Sequence, residues 1–150
     1  MTHFIADANL RTLLQVDTLL VLGLMSMSNY TSVLRLTRKV YATPEDYALF
    51  RRTSTAGALD SGDPIERSRR IHRNHLENVL PFIALSGLYA LTEPEHALFA
   101  SLLWAFLALR VSYTVFYSRA MQPHRTVAYT LAAVIQFSIA SFTLFAAFSS

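Results

Sequence analysis

The chain has 150 residues, of which 53% are apolar and 15% are charged, and its formal net charge is +3 at pH 7. In soluble proteins about a quarter of the residues are charged, so this composition favours a membrane protein. The sequence contains no cysteine, which excludes disulfides, thiolate nucleophiles and cysteine-ligated metal sites. The length suits a single domain over residues 1–150.

Four segments are long and apolar enough to be membrane-spanning helices, each near the roughly 20 residues that a bilayer requires. In chain order they cover about 10–36, 66–91, 95–118 and 124–148. The last segment is apolar on all faces and carries no charge after Arg125, which argues against a soluble four-helix bundle. We therefore predict an all-α integral membrane protein built as a four-transmembrane-helix bundle.

The connections between these segments differ in length and charge. Residues 37–65 are predicted to form a long polar loop, whereas "TEPE" (92–95) is a tight acidic turn and "RAMQPH" (119–124) a short link. Of the 13 Lys and Arg residues, all but Arg11 lie on the side of the long loop or point toward it. The positive-inside rule then places the long loop in the cytosol. Charge on one membrane face also argues against a nucleic-acid partner.

Charged side chains continue into the second helix. At about 100° per residue, Glu66, Arg70, Arg73, Asn74 and Glu77 fall on one side of it. A charged residue at the centre of a lipid-exposed helix costs about 2.5–3.5 kcal/mol. These side chains are therefore expected to line a water-accessible cavity or to meet partners on neighbouring helices.

The other three helices carry polar stripes in the same half of the predicted bundle. Arg and Tyr dominate the stripes, and Glu77 is the main carboxylate available to balance several arginines, so the pattern indicates an anion site. An acidic cofactor, a lipid headgroup and a transported ion all fit that pattern. The stripes consist of Asp17, Ser28 and Arg35; of Arg110, Tyr113, Thr114 and Tyr117; and of Arg125, Tyr129 and Gln136.

Some of these charges also have a purely structural interpretation. Arg38 and Lys39 fit cations that extend from a helix end toward water. An ion pair of Arg110 with Asp17 or Glu77 would hold helices together and do nothing else.

The histidines His72 and His75 lie off the charged stripe. Two histidines three residues apart can bind a metal ion, but no third ligand has suitable spacing. No metal site is predicted.

Two stretches of the sequence resemble a known family. "RLTRKVYATPED" (35–46) followed by "ERSRRIHRNHLENVLPF" (66–82) closely resembles the MAPEG superfamily, the membrane-associated proteins of eicosanoid and glutathione metabolism. "RVSYTVFY" (110–117) and "QPHRTVAYT" (122–130) fit at the expected spacing, so the resemblance covers nearly the whole chain. Within the family, the chain looks most like the type-one microsomal glutathione S-transferase branch, followed by the prostaglandin E synthase branch.

The resemblance implies a membrane enzyme that assembles as a homotrimer and uses glutathione as co-substrate, without a metal. Glutathione would bind in cytosolic clefts between neighbouring subunits. The family motif would place its carboxylates and backbone oxygens on the basic and amide side chains, and its γ-glutamyl ammonium on Glu77. The implied glutathione-binding residues are Arg35, Arg69, Arg70, His72, Arg73, Asn74, Glu77 and Tyr117.

The resemblance also assigns thiolate activation to Arg125, with Thr126 beside it. A free thiol has a pKa of about 8.5, and positive charge near the sulfur lowers it. Backbone amides and the dipole at the start of the fourth helix would favour the same anion. The thiolate would attack a hydrophobic electrophile arriving from the bilayer, or reduce a lipid hydroperoxide.

Three positions depart from the family pattern. Tyr47 stands where some type-one members have a cysteine whose modification raises activity, so that switch is expected to be absent. His75 replaces a common acidic residue, and Tyr113 stands where many relatives have histidine. The roles of His75 and Tyr113 stay open.

Other functions remain as alternatives. A glutathione-dependent eicosanoid synthase fits the same motif, although Tyr113 counts against it. A non-enzymatic lipid-binding adaptor would not need the glutathione-binding set, and a channel or transporter would work without thiols. The inside-positive bias suits the endoplasmic reticulum or the mitochondrial outer membrane of a eukaryote, and the inner membrane of a bacterium.

Overall fold

The computed structural model describes residues 7–50, 60 and 62–149. Within these residues the chain forms five helices, and no end of the four long ones differs from its predicted position by more than two residues. The helices are α1 (Ala8–Arg38), α2 (Pro44–Leu49), α3 (Pro64–Ala90), α4 (His96–Ser118) and α5 (His124–Ser149).

The short helix α2 corrects the expectation that 37–65 is loop throughout. Thr43 caps it, with its side chain accepting from the Asp46 amide over 3.4 Å. Pro44 occupies the first turn, where its missing N–H costs nothing, and Glu45 and Asp46 favour the positive end of the helix dipole. Residues 51–59 and 61 of the expected loop lie outside the described residues.

The long helices pack around one apolar core. Helix α1 packs on α3 and α4, and α5 packs on the opposite side of the same pair, so that α1 and α5 do not touch within the described residues. Phe82 of α3 and Phe106 of α4 stack with ring centroids 3.6 Å apart at the centre. Val16, Leu103 and Ile139 are fully buried around them.

Helix α3 is strongly two-sided. Its buried residues recur every three or four positions and include Ile71, Val79 and Phe82. The charged stripe that contains Arg73 and Glu77 lies on the opposite side, and both of these side chains are exposed. This part of the stripe therefore faces away from the core of its own chain, whereas Asn74 at its edge meets α4.

Among the described helices, α1, α4 and α5 are long and apolar enough to cross a membrane, with mean hydropathies of 1.4, 1.6 and 2.0. Helix α3 is not in this group, since its first half carries the charged stripe. An all-helical membrane protein with three apolar spans agrees with the sequence prediction, while the fourth span stays a prediction.

Two hydroxyl contacts join α1 to α3. Thr31 Oγ1 lies 2.6 Å from Ser68 Oγ, and Ser86 Oγ donates to Asp17 Oδ2 over 3.2 Å. Asp17 therefore has a serine as its hydrogen-bond partner inside the bundle.

The basic end of the bundle is where α1 and α4 end and α3 and α5 begin. Arg38 pairs with Asp63 over 3.2 Å, so it is tied to the residue that caps α3. Arg67 Nη1 donates to the backbone oxygens of Tyr117 and Ser118 over 3.3 and 3.4 Å. A cation at these terminal carbonyls complements the negative end of the α4 dipole.

The Pro94 end, opposite the basic end, holds a three-residue clasp. Asn9 Nδ2 donates to the Pro94 oxygen over 2.8 Å, and Asn9 Oδ1 lies 2.8 Å from His96 Nδ1. The clasp fastens the first turn of α1 to the first turn of α4.

Candidate functional site

Two clefts at the basic end hold most of the predicted site residues. The α1–α3 cleft encloses about 390 Å³. Its lining includes three arginines and a histidine, and none of its described lining residues is acidic. The lining consists of Ser28, Thr31, Ser32, Arg35, Ala42, Arg69, His72, Arg73 and Leu76. Such a lining suits an anion.

One arginine of this cleft has a counterion. Arg69 Nη1 lies 2.6 Å from Glu66 Oε1, one helical turn earlier on α3. Both groups are solvent-accessible, so the pair contributes little to stability. Glu77 is thus not alone in balancing the basic residues, which the sequence analysis did not foresee.

The Arg125 cleft lies on the other side of α3 and encloses about 240 Å³. Helices α3, α4 and α5 all contribute to it. Its lining consists of Asn74, Tyr113, Tyr117, Arg125, Thr126 and Tyr129.

Neighbouring side chains hold Arg125 in place. Its guanidinium carbon lies 4.4 Å from the centroid of the Tyr117 ring, a cation–π contact. The side-chain amide of Gln122 lies between Arg125 and Thr126. Its oxygen accepts a hydrogen bond from Arg125 Nε over 3.0 Å, and its nitrogen donates to Thr126 Oγ1 over 3.0 Å. All three side chains then have a hydrogen-bond partner. Sequence reasoning missed Gln122, which lies in the turn just before α5 and four residues before Thr126.

The expected free amides at the start of α5 are only partly present. The Arg125 N–H donates to the Met121 oxygen over 3.2 Å, and the Val127 N–H donates to the Pro123 oxygen over 3.1 Å. These two amides are already hydrogen-bonded, so an anion in the Arg125 cleft would depend mainly on side-chain donors.

Tyr113, whose role the sequence left open, lies in the Arg125 cleft. It is 5% exposed and lies at the base of the Arg125 cleft, with its ring 5.6 Å from Tyr117 and 6.3 Å from Tyr129. The Arg110 guanidinium carbon lies 4.8 Å from the same ring. Three tyrosines thus form an aromatic wall around the cleft.

Arg110 is tied to the site through an amide. Its Nη2 donates to Asn74 Oδ1 over 2.8 Å, and the side chain is 1% exposed. The alternative of an ion pair with Asp17 or Glu77 is therefore wrong. The partner on α3 is the neutral Asn74, because that residue faces α4.

The two histidines have separate surroundings. His72 lines the α1–α3 cleft, whereas His75 is buried with Nε2 2.8 Å from Thr114 Oγ1. His75 therefore joins α3 to α4. In the described part of the chain, no cluster of three or more His, Asp or Glu side chains could hold a metal ion.

Arg70 and Glu77 lie on α3 between the two clefts. Arg70 is partly buried and Glu77 is exposed, and neither lines the α1–α3 cleft or the Arg125 cleft. They belong to the stripe that faces away from the core.

Within one chain, the predicted site residues thus lie on two different sides of α3. Arg35, Arg69, His72 and Arg73 meet in one cleft, while Asn74, Tyr117 and Arg125 meet in the other. Arg73 and Asn74 are consecutive on α3, but Arg35 on α1 and Arg125 on α5 lie apart, because α1 and α5 do not touch within the described residues.

Comparison with known proteins gives the same relatives as the motifs. Human microsomal glutathione S-transferase 1 is 32% identical over 142 residues, covering 93% of this chain and 92% of the relative. The bovine protein of that name is 36% identical over 126 residues, covering 82% of this chain and 81% of the relative. Human prostaglandin E synthase is 34% identical over 125 residues, covering 77% and 75%.

The MAPEG family model matches residues 13–145, which include all of α3 and α4 and most of α1 and α5. The resemblance to the family and to both of its branches is therefore confirmed. With this match over most of its length, and with relatives that align across three quarters or more of both chains, the protein belongs to the MAPEG family.

Proposed function

We propose that this protein is a membrane-bound glutathione transferase that activates the glutathione thiolate for attack on hydrophobic electrophiles. The observation that carries the proposal is the position of Arg125, held over Tyr117 in an open cleft beside Asn74. A fixed guanidinium in a small polar cleft is suited to stabilising an anionic sulfur. Relatives named microsomal glutathione S-transferase 1 support the substrate.

The complete site is proposed to form between two copies of the chain. The α1–α3 cleft and the Arg125 cleft lie on different sides of α3, and the stripe with Arg73 and Glu77 faces outward between them. The α1–α3 side of one copy would meet the Arg125 side of the next, which is a head-to-tail contact. In a closed ring, every copy uses both of these surfaces. We infer a homotrimer, in agreement with the resemblance.

In such a site, the basic cleft would hold the carboxylates of glutathione. Arg35, Arg69 and Arg73 of that cleft supply donors that carboxylates prefer, and His72 adds a ring nitrogen. Arg70 would add a donor from beside the cleft. Glu77 would accept the γ-glutamyl ammonium. This role explains the carboxylate of the stripe that, unlike Glu66, has no ion pair with Arg69. Asn74 and Tyr117 would bind from the neighbouring Arg125 cleft.

The chemistry begins with loss of the thiol proton to solvent. Arg125 holds the thiolate, which is the nucleophile. Sulfur forms a bond to the electrophilic carbon, and a leaving group such as halide departs with the bonding electrons. With a lipid hydroperoxide, sulfur would attack the terminal oxygen and release the alcohol. A second glutathione would then convert the sulfenic acid into the disulfide and water.

The basic end is proposed to face the cytosol, where glutathione is available, and α3 is proposed to complete four spans. Its charges would then be covered by neighbouring copies or by water at the clefts. The membrane is that of the endoplasmic reticulum or the mitochondrial outer membrane in a eukaryote, and the inner membrane in a bacterium.

The test is glutathione conjugation to a generic aryl halide by detergent-purified protein. Wild type is expected to turn over, and Arg125→Ala to lose about 100-fold or more in kcat/KM. The ultraviolet absorbance of the bound thiolate should disappear in the variant while glutathione still binds. Arg119→Ala is the matched control, because Arg119 is exposed and lines neither cleft.

Full activity of Arg125→Ala would refute the role of Arg125. Glutathione binding without conjugation in the wild type, together with isomerisation of a prostaglandin endoperoxide, would favour the eicosanoid synthase. That alternative is supported by the prostaglandin E synthase relatives. A protein that binds lipid but neither binds nor converts glutathione would be an adaptor.

A further inference from the structure

A third cavity lies between α1 and α4, apart from both clefts. This α1–α4 groove encloses about 260 Å³ and shares no lining residue with the α1–α3 cleft or the Arg125 cleft. Most of its lining is apolar, with a few polar groups. The lining consists of Leu19, Leu20, Gly23, Ser26, Met27, His75, Leu107, Arg110, Val111, Thr114 and Val115.

The groove is long enough to hold a segment of one hydrocarbon chain. From Leu19 to Met27 the α1 wall rises about 12 Å, and from Leu107 to Val115 the α4 wall rises by the same amount. Leu19 and Val111 are 44% and 57% exposed, so the groove opens away from the core at a depth where α1 and α4 are apolar enough to span a membrane.

Arg110 borders this apolar groove with unfilled hydrogen-bonding capacity. The side chain is 1% exposed, and its hydrogen bond to Asn74 uses Nη2 only. The buried Nε and Nη1 have no hydrogen-bond partner in the described structure. Arg110 forms no ion pair among the described residues. Two buried nitrogens without an acceptor and a buried charge without a counterion are costly, so an anionic acceptor beside Arg110 is favoured.

We propose that the α1–α4 groove binds a long-chain carboxylic acid. The hydrocarbon chain lies against Leu20, Gly23, Leu107 and Val111, and the carboxylate accepts from the free donors of Arg110. A carboxylate supplies both the acceptor and the negative charge that Arg110 lacks. The proposal does not depend on glutathione chemistry, because no groove residue lines either cleft.

A phospholipid suits the groove less well. A zwitterionic headgroup resides at the membrane interface and carries no net negative charge to compensate Arg110. A neutral ester of the same acid would contact the apolar lining in the same way but would leave the charge of Arg110 uncompensated. The acid is therefore expected to bind in preference to its methyl ester.

The sequence provides a built-in reporter for this binding. Trp104 is the single tryptophan of the chain, and it lies on α4 three residues before Leu107 and seven before Val111. These spacings place it on the same face of the helix, one turn from the groove. A nitroxide on the chain of a bound acid should quench its fluorescence.

Gly23 allows the groove to be filled without disturbing the bundle. A Cβ at Gly23 would meet no atom within 4 Å, so the side chain in Gly23→Leu enters open space. Gly87 has equally free surroundings but lies near the Pro94 end and lines a different cavity. Gly87→Leu is therefore a matched control for the substitution itself.

The experiment measures quenching of Trp104 in protein reconstituted into phosphatidylcholine nanodiscs, without glutathione. Nitroxide-labelled stearic acid should quench saturably and bind about tenfold or more tightly than its methyl ester. Gly23→Leu should abolish the saturable component and Gly87→Leu should retain it. Arg110→Gln should remove the preference for the acid.

Several outcomes would overturn the proposal. Equal quenching by acid and ester would show that Arg110 makes no contact with the carboxylate. Unchanged saturable quenching in Gly23→Leu would place the ligand elsewhere. A labelled phosphatidylcholine that competes as well as the acid would make the groove a bilayer-lipid site. A change of oligomeric state in Gly23→Leu would mean that another copy of the chain covers the groove.

Discussion

Arg110 and Asn74 meet across the α3–α4 interface, where Nη2 of the arginine donates to Oδ1 of the amide over 2.8 Å. Asn74 lines the Arg125 cleft and Arg110 borders the α1–α4 groove. This one hydrogen bond therefore connects the walls of two separate cavities. Among the described residues it is the only hydrogen bond of a guanidinium group whose residue is 1% exposed.

Replacing Asn74 by Leu should destabilise the folded protein. The substitution leaves a third nitrogen of the buried Arg110 without an acceptor, at a cost of about 2 kcal/mol or more. Thermal unfolding in detergent, followed by circular dichroism, measures the change.

The control for that experiment is Asn74→Asp, which keeps an acceptor at the same position and adds a counterion. We expect Asn74→Asp to unfold at or above the wild-type temperature. Equal stability of Asn74→Leu and wild type would show that Arg110 does not need this bond.

Two inactive variants should restore activity together if the site lies between copies. Arg35→Ala damages the α1–α3 cleft and Arg125→Ala damages the Arg125 cleft. When the two are co-expressed in equal amounts, about a quarter of neighbouring pairs combine two intact clefts in a cyclic assembly. Conjugation activity of the purified mixture should therefore recover to about a quarter of wild type.

Variants of the same cleft provide the negative control for this recovery. Tyr117→Leu and Arg125→Ala damage one cleft, so their mixture contains no pair with two intact clefts. A site within one chain predicts no recovery in either mixture, and that result would refute the assembly.

The α1–α3 contact should depend on its two serine hydroxyls to different extents. Ser68→Ala removes the partner of Thr31 and is expected to cost about 0.6 kcal/mol, a typical value for a hydrogen bond between membrane helices. Ser86→Ala should cost more, about 1–3 kcal/mol, because it removes the donor to the partly buried Asp17.

Ser101→Ala is the matched control for both variants. Its hydroxyl donates to Ala97 O within the exposed face of α4, so little change is expected. Unfolding in mixed detergent micelles measures all three. Equal costs at Ser86 and Ser101 would contradict the importance of the Asp17 contact.

Acidification should weaken the start of α4. The carboxylate of Glu95 accepts from the Ala97 and Leu98 amides over 3.0 and 2.9 Å, and these hydrogen bonds lower the pKa of Glu95 below its ordinary value of 4.5. A lowered pKa in the folded state means that the stabilisation is complete above 4.5 and is lost as pH falls through the folded-state value.

The measurement for Glu95 compares wild type with Glu95→Gln at pH 7 and pH 3.5. Wild type should unfold at a higher temperature at pH 7, and the difference should shrink at the lower pH. A difference that is independent of pH would mean that the charge of the cap is unimportant.

Hydropathy and helical periodicity were sufficient to predict the long helices and to identify the residues of the α3 stripe. The stripe residues share one side in the structure, as about 100° per residue requires. Helix α2 was missed because its six residues are too short and polar for a periodic pattern, although Thr43, Pro44 and Glu45 form a recognisable start.

Partners across helices were harder to predict than residues along one helix. Periodicity predicted that Arg110 has a polar neighbour, but the choice among Asp17, Glu77 and Asn74 depends on how α3 is rotated against α4. Periodicity also does not say which helices flank α3 on either side, so the separation of Arg35 from Arg125 appears only in the folded chain.

The clasp of Asn9, Pro94 and His96 has a mechanical consequence for the groove between the helices that it joins. The clasp joins α1 to α4 directly, whereas the contacts described at the basic end join them through α3, by the Arg38–Asp63 pair and by Arg67 at the end of α4. A small tilt of α1 against α4 therefore produces its largest displacement far from the clasp. Asn9 and Met27 are 18 residues apart, which is about 27 Å of helix. The groove is therefore expected to widen first near Met27 and Val115, so that a hydrocarbon chain enters from the basic end and its tip moves toward the clasp.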